Sequence, residues 1–97
     1  MTTTKTSLPE ALRRIRKARG LSQEAFSGVS SRTYLSSLER GLKSPTLNKL
    51  EDLCEVLAVH PLTLLALIYC ENINDVDDLL MLVKKESASI FDNQRGS

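Results

Sequence analysis

Two short helical segments lie close together between Leu21 and Gly41, and this spacing constrains the fold more than any other feature of the chain. The first segment, residues 22–26, begins with a serine suited to capping a helix, and the second, residues 32–40, is ended by the glycine. So short a connection forces the two helices to cross sharply, which frees the second to project a polar face. A helix presented in this way can enter the major groove of double-stranded DNA.

The second segment separates apolar from polar side chains around its circumference. Leu35 and Leu38 are three residues apart and are predicted to point inward, with Tyr34 beside them. The remaining surface consists of hydroxyl and guanidinium groups, on Arg32, Thr33, Ser36, Ser37 and Arg40. These groups suit contacts with base edges and phosphates, whereas alternating Glu and Lys is more typical of a solvated helix.

The net charge of +1 conceals a strong polarity along the chain. Residues 1–49 carry ten Lys and Arg against three acidic residues, a net charge of +7, whereas residues 50–97 carry a net charge of −6. The basic half contains the two short helices, so phosphates are expected to be attracted to that end of the molecule. The alternative is an accidental clustering of charge on a solvated surface.

Capping and helix-breaking residues divide the 97-residue chain into six predicted helices, which indicates one compact all-α domain. Ser7 and Glu10 match a capping box at the start of the first helix. In the fourth predicted helix, apolar residues at 47, 50, 53, 54 and 57 form a stripe expected to face the core. Asn74 is expected to cap a sixth helix. We predict a disordered lead over 1–6, a DNA-binding domain over 7–70, a C-terminal helix over 71–87 and a flexible tail over 88–97.

Other kinds of site find little support in the sequence. His60 is the only histidine and precedes a proline, so we expect a helix-capping role rather than catalysis or metal binding. Cys54 and Cys70 are too far apart for a CxxC site and indicate reduced thiols in a cytoplasmic protein. No nucleophile, base and orienting acid can be assembled, and no apolar run spans a bilayer or marks export. We therefore expect no enzymatic activity, no cofactor or metal, no membrane partner and no small-molecule effector.

Leu12 to Leu67 resembles the DNA-binding domain of the lambda repressor, Cro and Xre family of helix-turn-helix regulators. The resemblance lies in three separated motifs that occur in the family's order. They are IRKARGLSQ over 15–23, YLSSLERG over 34–41 and PTL over 45–47 followed by spaced leucines. The connection between the first two motifs is about two residues shorter than the common family spacing, so the second helix is expected to be clipped by about half a turn.

The resemblance implies a five-helix lambda-repressor-like fold with an additional C-terminal helix, and it implies roles for individual residues. The positions implied to read bases are Arg32, Thr33, Ser36 and Ser37. Those implied to bind phosphates are Ser22, Gln23, Ser31, Tyr34, Arg40, Lys43 and Ser44, with Gln23 also steadying the recognition helix. Arg16 and Glu39 are implied to form an ion pair that fixes the angle of that helix.

The last two predicted helices carry more apolar surface than a small core can absorb. We expect a two-fold homodimer interface built from Leu65, Ile68, Ile73, Val76, Leu80 and Val83. It would place two recognition helices roughly 34 Å apart on a palindromic site. The alternative is that the sixth helix folds back over the fifth within one subunit.

The sequence thus favours a double-stranded DNA-binding transcriptional regulator, a repressor or autoregulator acting as a homodimer. An alternative from another class is a protein-interaction module, such as an antitoxin or antirepressor that holds its partner with the last two helices.

Overall fold

The computed structural model describes residues 6–96, and within them the fold is all-α, as predicted. It contains five α-helices and one single-turn 3₁₀ helix. In chain order these are α1 (Leu8–Ala18), the 3₁₀ helix (Gln23–Phe26), α2 (Arg32–Glu39), α3 (Leu47–Leu57), α4 (Pro61–Tyr69) and α5 (Ile73–Gly96). The single turn at the second position agrees with the clipped helix that the short spacing implied. Residues 1–5 of the predicted disordered lead lie outside the described residues.

Local capping interactions explain where most of these helices begin. The Ser7 hydroxyl accepts a hydrogen bond from the Glu10 amide at 3.3 Å, and the Glu10 carboxylate reaches back to the Ser7 amide at 3.4 Å, which confirms the capping box. Ser31 caps α2 by accepting from the Tyr34 amide at 3.0 Å. Nδ1 of His60 accepts from the Leu62 amide at 3.0 Å, so the histidine caps α4 as expected.

The last helix begins before the predicted cap at Asn74 and ends beyond residue 87, the predicted end. Asn72, rather than Asn74, caps it, because the Asn72 side chain accepts from the Asp75 amide at 3.0 Å and the helix already starts at Ile73. It continues to Gly96, so residues 88–96, for which we expected a flexible tail, are helical. The physical reason is that no proline or glycine interrupts residues 73–95.

The core lies where α1, α2, α3 and α4 meet around the 3₁₀ helix. Its largest fully buried side chains are Leu12, Phe26, Leu35, Leu53, Leu57 and Leu64. Cys54 is buried among them, and burial raises the pKa of its thiol. The expectation for Leu47 was wrong, since this side chain is 67% exposed in the first turn of α3, beside an open groove.

α5 extends away from this core. A compact chain of 97 residues has a radius of gyration of about 12.5 Å, whereas the observed value is 15.7 Å. A helix of 24 residues is about 36 Å long, which accounts for the difference.

The residues predicted to form the dimer interface differ in their exposure in this fold. Ile73, Leu80 and Val83 are exposed on α5, and Leu65 and Val76 are half-buried. Ile68 belongs to the core of its own subunit, because it is on the α4 face that also buries Leu64. Ile68 is therefore withdrawn from the predicted interface.

Among the described residues no single helix is both long and apolar enough to cross a membrane, and α3 and α4 satisfy that test only as a pair bent by 98°.

The contrast within α3 provides a test of the core. Leu53→Ala should lower the free energy of unfolding by about 2–5 kcal/mol, because it leaves a cavity at a fully buried position. Leu47→Ala, the same chemical change in the same helix, should change stability by no more than about 0.5 kcal/mol. Urea denaturation followed by circular dichroism measures both. Equal losses of stability in the two variants would mean that the Leu47 side chain is packed in the core.

Candidate nucleic-acid interface

One face of α2 collects the polar side chains that the sequence singled out. Arg32, Thr33, Ser36 and Arg40 line a shallow cleft together with Gln23 of the 3₁₀ helix. At about 100° per residue, the three α2 positions and Arg40, which follows the helix directly, fall within an arc of roughly 100°. The structure therefore brings three of the four predicted base-reading residues onto one accessible surface and adds Arg40 and Gln23 to it.

Ser37 does not belong to this surface. Its side chain is only 7% exposed, although the sequence-based interpretation assigned it to base reading. It lies at the edge of the arc nearest Tyr34, where the chain folds back after α2, since the Leu42 amide donates to the Ser37 carbonyl at 2.9 Å. The prediction for Ser37 is corrected accordingly, and the cleft is formed without it.

A buried carboxylate fixes α2 against the rest of the domain. Glu39 is 4% exposed and forms a two-pronged ion pair with Arg16, whose Nε and Nη2 donate to its two carboxylate oxygens at 2.6 and 2.9 Å. Nε2 of Gln23 donates to the same carboxylate at 3.1 Å. One side chain of α2 is thus connected to both α1 and the 3₁₀ helix, and the implied pairing of Arg16 with Glu39 is present.

The electrostatics of this carboxylate follow from two opposed effects. Burial alone raises the pKa of Glu39, but the hydrogen bonds from Arg16 and Gln23, with the positive charges of Arg16 and Arg13, outweigh it. The pKa of Glu39 therefore lies below its ordinary value. In return, the Glu39 hydrogen bond raises the pKa of Arg16.

The arginines of α1 have structural roles that the sequence reasoning missed. Arg13 donates to the Glu39 carbonyl at 3.1 Å, and Arg16 also donates to the Leu21 carbonyl at 2.9 Å. Arg19, just after α1, donates to the carbonyls of Leu57 and Ala58 at 3.0 and 3.2 Å and so caps the end of α3. Their regular spacing of three residues was the available signal, because it places them on neighbouring positions of one helix surface.

A second group of polar and basic residues surrounds Tyr34. Nζ of Lys43 and Nζ of Lys49 each lie 5.6 Å from the centroid of its ring. Lys49, which the sequence reasoning also missed, donates to the Val29 carbonyl at 2.6 Å and so ties α3 to the turn before α2. The predicted phosphate contacts at Ser22, Ser31 and Ser44 are exposed. Ser22 makes no capping hydrogen bond with its hydroxyl.

The described residues contain no group of three or more His, Cys, Asp or Glu side chains placed to hold a metal ion.

Comparison with known proteins agrees with this arrangement. The profile of the helix-turn-helix family HTH_3 matches residues 12–64, more than half of the chain. The chain belongs to this family. The match runs from within α1 into the first turn of α4, so it includes the 3₁₀ helix and α2, the two elements that line the cleft.

The helix-turn-helix chain is also similar to an uncharacterized HTH-type transcriptional regulator, y4dJ, from Sinorhizobium fredii (strain NBRC 101917 / NGR234). The two are 46% identical over 48 residues, which is 47% of this chain and 62% of the relative. This chain therefore spans less than two thirds of the length of that relative.

Removing the charge of Glu39 should destabilise the domain. Glu39→Gln leaves the half-buried Arg16 without its counter-ion, so we expect the free energy of unfolding at neutral pH to fall by about 3 kcal/mol. The same change at the exposed Glu51 is the control and should have an effect within about 0.5 kcal/mol. Urea denaturation of both variants makes the comparison. Equal stabilities would show that the ion pair contributes nothing.

The lowered pKa of Glu39 also predicts a pH dependence. A carboxylate with a depressed pKa contributes stability that is fully present above its unfolded-state pKa, about 4.3, and is lost as the pH falls through the folded-state pKa. The stability difference between the unaltered protein and Glu39→Gln should therefore be constant above about pH 5 and shrink below about pH 4. Denaturation curves across this range measure it. A difference that grows on acidification would contradict the assigned direction.

Proposed function

We propose that this protein is a sequence-specific transcriptional regulator, a repressor or autoregulator, that binds a palindromic site in double-stranded DNA as a homodimer. The observation that carries the proposal is the accessible cleft of Arg32, Thr33, Ser36, Arg40 and Gln23 on the helix-turn-helix motif. The HTH-type transcriptional regulator that this chain resembles supports the same general role.

The order of residues along α2 suits the docking of a recognition helix. Residues at the N-terminal end of such a helix contact base edges in the major groove. Arg32 and Thr33 occupy that end and are exposed, and Ser36 follows one turn later in the same cleft. A guanidinium can donate two hydrogen bonds to guanine, and the hydroxyls can contact either bases or phosphates. We assign base reading to these three side chains.

Phosphate contacts are assigned to groups that flank the cleft. Arg40 lies at the far end of α2, and Lys43 with Tyr34 forms a basic group beside the turn that follows it. Gln23 donates one hydrogen bond to Glu39, and its amide has a second N–H available for a phosphate oxygen. These contacts set the orientation of α2 on the duplex without depending on its sequence.

The homodimer is supported by the exposed apolar surface of α5. A palindromic site requires two recognition helices related by a two-fold axis, and a single domain of this size presents one. Because α5 extends from the domain with Ile73 and Leu80 exposed, a second copy is the partner that would satisfy this symmetry.

Substitutions in the cleft and in the flanking basic group should have different effects on specificity. Arg32→Ala should weaken binding to the preferred duplex by about 1–3 kcal/mol per half-site and relax sequence choice at one position of each half-site. Lys43→Ala should weaken preferred and random duplexes alike. Lys85→Ala on α5 is a matched control that should leave the affinities for the preferred and the random duplex unchanged. Selection from a random duplex library gives the target, and fluorescence anisotropy measures the affinities. Equal losses on both duplexes for Arg32→Ala would refute its base-reading role.

Salt dependence distinguishes the regulator from an antitoxin or antirepressor whose main partner is a protein. The exposed apolar residues of α5 favour that second candidate, in which DNA binding is secondary or lost. A DNA-binding regulator must lose affinity steeply as salt rises, with a slope in log–log form of about −0.9 per phosphate contacted. Lys43→Ala should make the slope shallower by about 1 per subunit. A flat dependence would exclude phosphate-mediated binding and favour the protein-interaction module.

A further inference from the structure

Exposed apolar side chains are concentrated on α5. Of the eleven large hydrophobic residues that are exposed in the described part of the chain, seven belong to this helix. Leu80 and Ile90 are 51% and 61% exposed, although neither is near the cleft on α2. So much uncovered apolar area on one helix indicates a surface that is covered by a partner.

The sequence of α5 follows the heptad pattern of a two-helix interface. Positions separated alternately by three and four residues are Ile73, Val76, Leu80, Val83, Ser87 and Ile90, and all but one are apolar. Such a spacing keeps one stripe of a helix facing a second helix along its whole length. In this register Leu80 occupies position a and Val83 occupies position d. Flanking positions e are Asp77 and Lys84.

α4 adds an apolar wall to one side of this stripe. Leu62, Leu65 and Tyr69 of α4 lie across a groove of about 160 Å³ from Leu80 and Val83 of α5, and the groove is lined almost wholly by apolar atoms. A helix laid along α5 would therefore also contact α4. The groove has room for apolar side chains of such a helix and limits the direction from which the helix can approach.

We propose that α5 of a second copy occupies this groove in the antiparallel orientation, with Leu80 opposite the partner's Val83. This inference rests on the homodimer of the proposed function and specifies its geometry. In this register Ile73 meets the partner's Ile90, and Val76 meets the partner's Ser87. The six stripe positions are spaced symmetrically about the middle of the pair. Each of these contacts therefore occurs twice, once in each half of the dimer.

The charges beside the stripe favour this orientation. In an antiparallel pair, e positions face e positions, which brings Asp77 next to the partner's Lys84 and, by symmetry, Lys84 next to the partner's Asp77. In a parallel pair, g positions face e positions of the next heptad. Leu79 would then face the partner's Lys84 and Glu86 would face the partner's Phe91, so each charge would be placed against an apolar side chain. The antiparallel pair gains two opposite-charge contacts that the parallel pair lacks.

The orientation also determines where the two DNA-binding faces lie. Because Ile73 lies opposite the partner's Ile90, the partner's Ile73 is displaced along the helix axis by the length of residues 73–90. Seventeen residues of helix correspond to about 25 Å. In a parallel pair they would be about 8–10 Å apart. Since each domain is attached at the start of α5, the antiparallel pair holds the domains at opposite ends, a separation closer to the roughly 34 Å between successive half-sites.

Charge exchange tests the register in the full-length protein. Asp77→Lys and Lys84→Asp each bring like charges together at two places, so each should weaken dimerisation about ten-fold at low salt. The double variant exchanges the pair and should recover to within about three-fold of the unaltered protein. Asp78→Lys is the matched control, because it makes the same charge change at a position that faces away from the partner. Sedimentation equilibrium without DNA gives the dissociation constants. Absence of rescue in the double variant would overturn the register.

Disulfide cross-linking tests the orientation separately. With Cys70 replaced by Ser, Ile73→Cys alone should give no covalent dimer on mild oxidation, whereas Ile73→Cys with Ile90→Cys should give one. Covalent dimers from Ile73→Cys alone would establish a parallel pair and overturn the inference while leaving the homodimer intact. A chain that stays monomeric at all concentrations would overturn both the pairing and the homodimer. The DNA-binding measurements above decide the regulator independently, since they use the cleft on α2.

Discussion

The orientation of α2 depends on one buried carboxylate. Glu39 accepts hydrogen bonds from Arg16 on α1 and from Gln23 on the 3₁₀ helix, so three elements are joined at a single side chain. Taking a carboxylate out of water is unfavourable unless it is paired and hydrogen-bonded, and here both conditions are met. A buried hydrophobic contact in the same place would tolerate rotation of α2, whereas the two-pronged geometry with Arg16 permits one angle. The exposed residues that neighbour Glu39 on the helix acquire a fixed direction as a result.

The basic half of the chain performs two separate tasks. Arg13, Arg16 and Arg19 donate to carbonyls or to Glu39 inside the domain, whereas Arg32, Arg40 and Lys43 remain exposed. The net charge of residues 1–49 therefore overstates what is available to an external polyanion, although it places that charge at the correct end. The acidic half carries α5, where repulsion of phosphates keeps the proposed dimer surface away from the duplex.

Much of this arrangement was predictable from sequence because it depends on local rules. The capping box at Ser7, the cap at His60 and the shortened second helix depend on neighbouring residues alone. Ser37 was misassigned because helical periodicity places it beside the exposed arc, whereas in the folded domain it is only 7% exposed. Leu47 fits the apolar stripe of α3 equally well, but its side chain lies beside an open groove and is 67% exposed. The periodicity of a single helix could not decide either case.

The 3₁₀ helix has a consequence for how the domain responds to its ligand. Phe26 is its only buried residue, and one turn of backbone hydrogen bonding holds the segment together. Detachment of this segment would expose Phe26 and take Gln23 away from Glu39, so the position of the Gln23 amide is coupled to the core. Any duplex that binds Gln23 selects the attached state and stabilises the connection from the 3₁₀ helix to α2. Occupancy of the cleft on α2 by DNA and rigidity of the motif would then reinforce each other through the same amide.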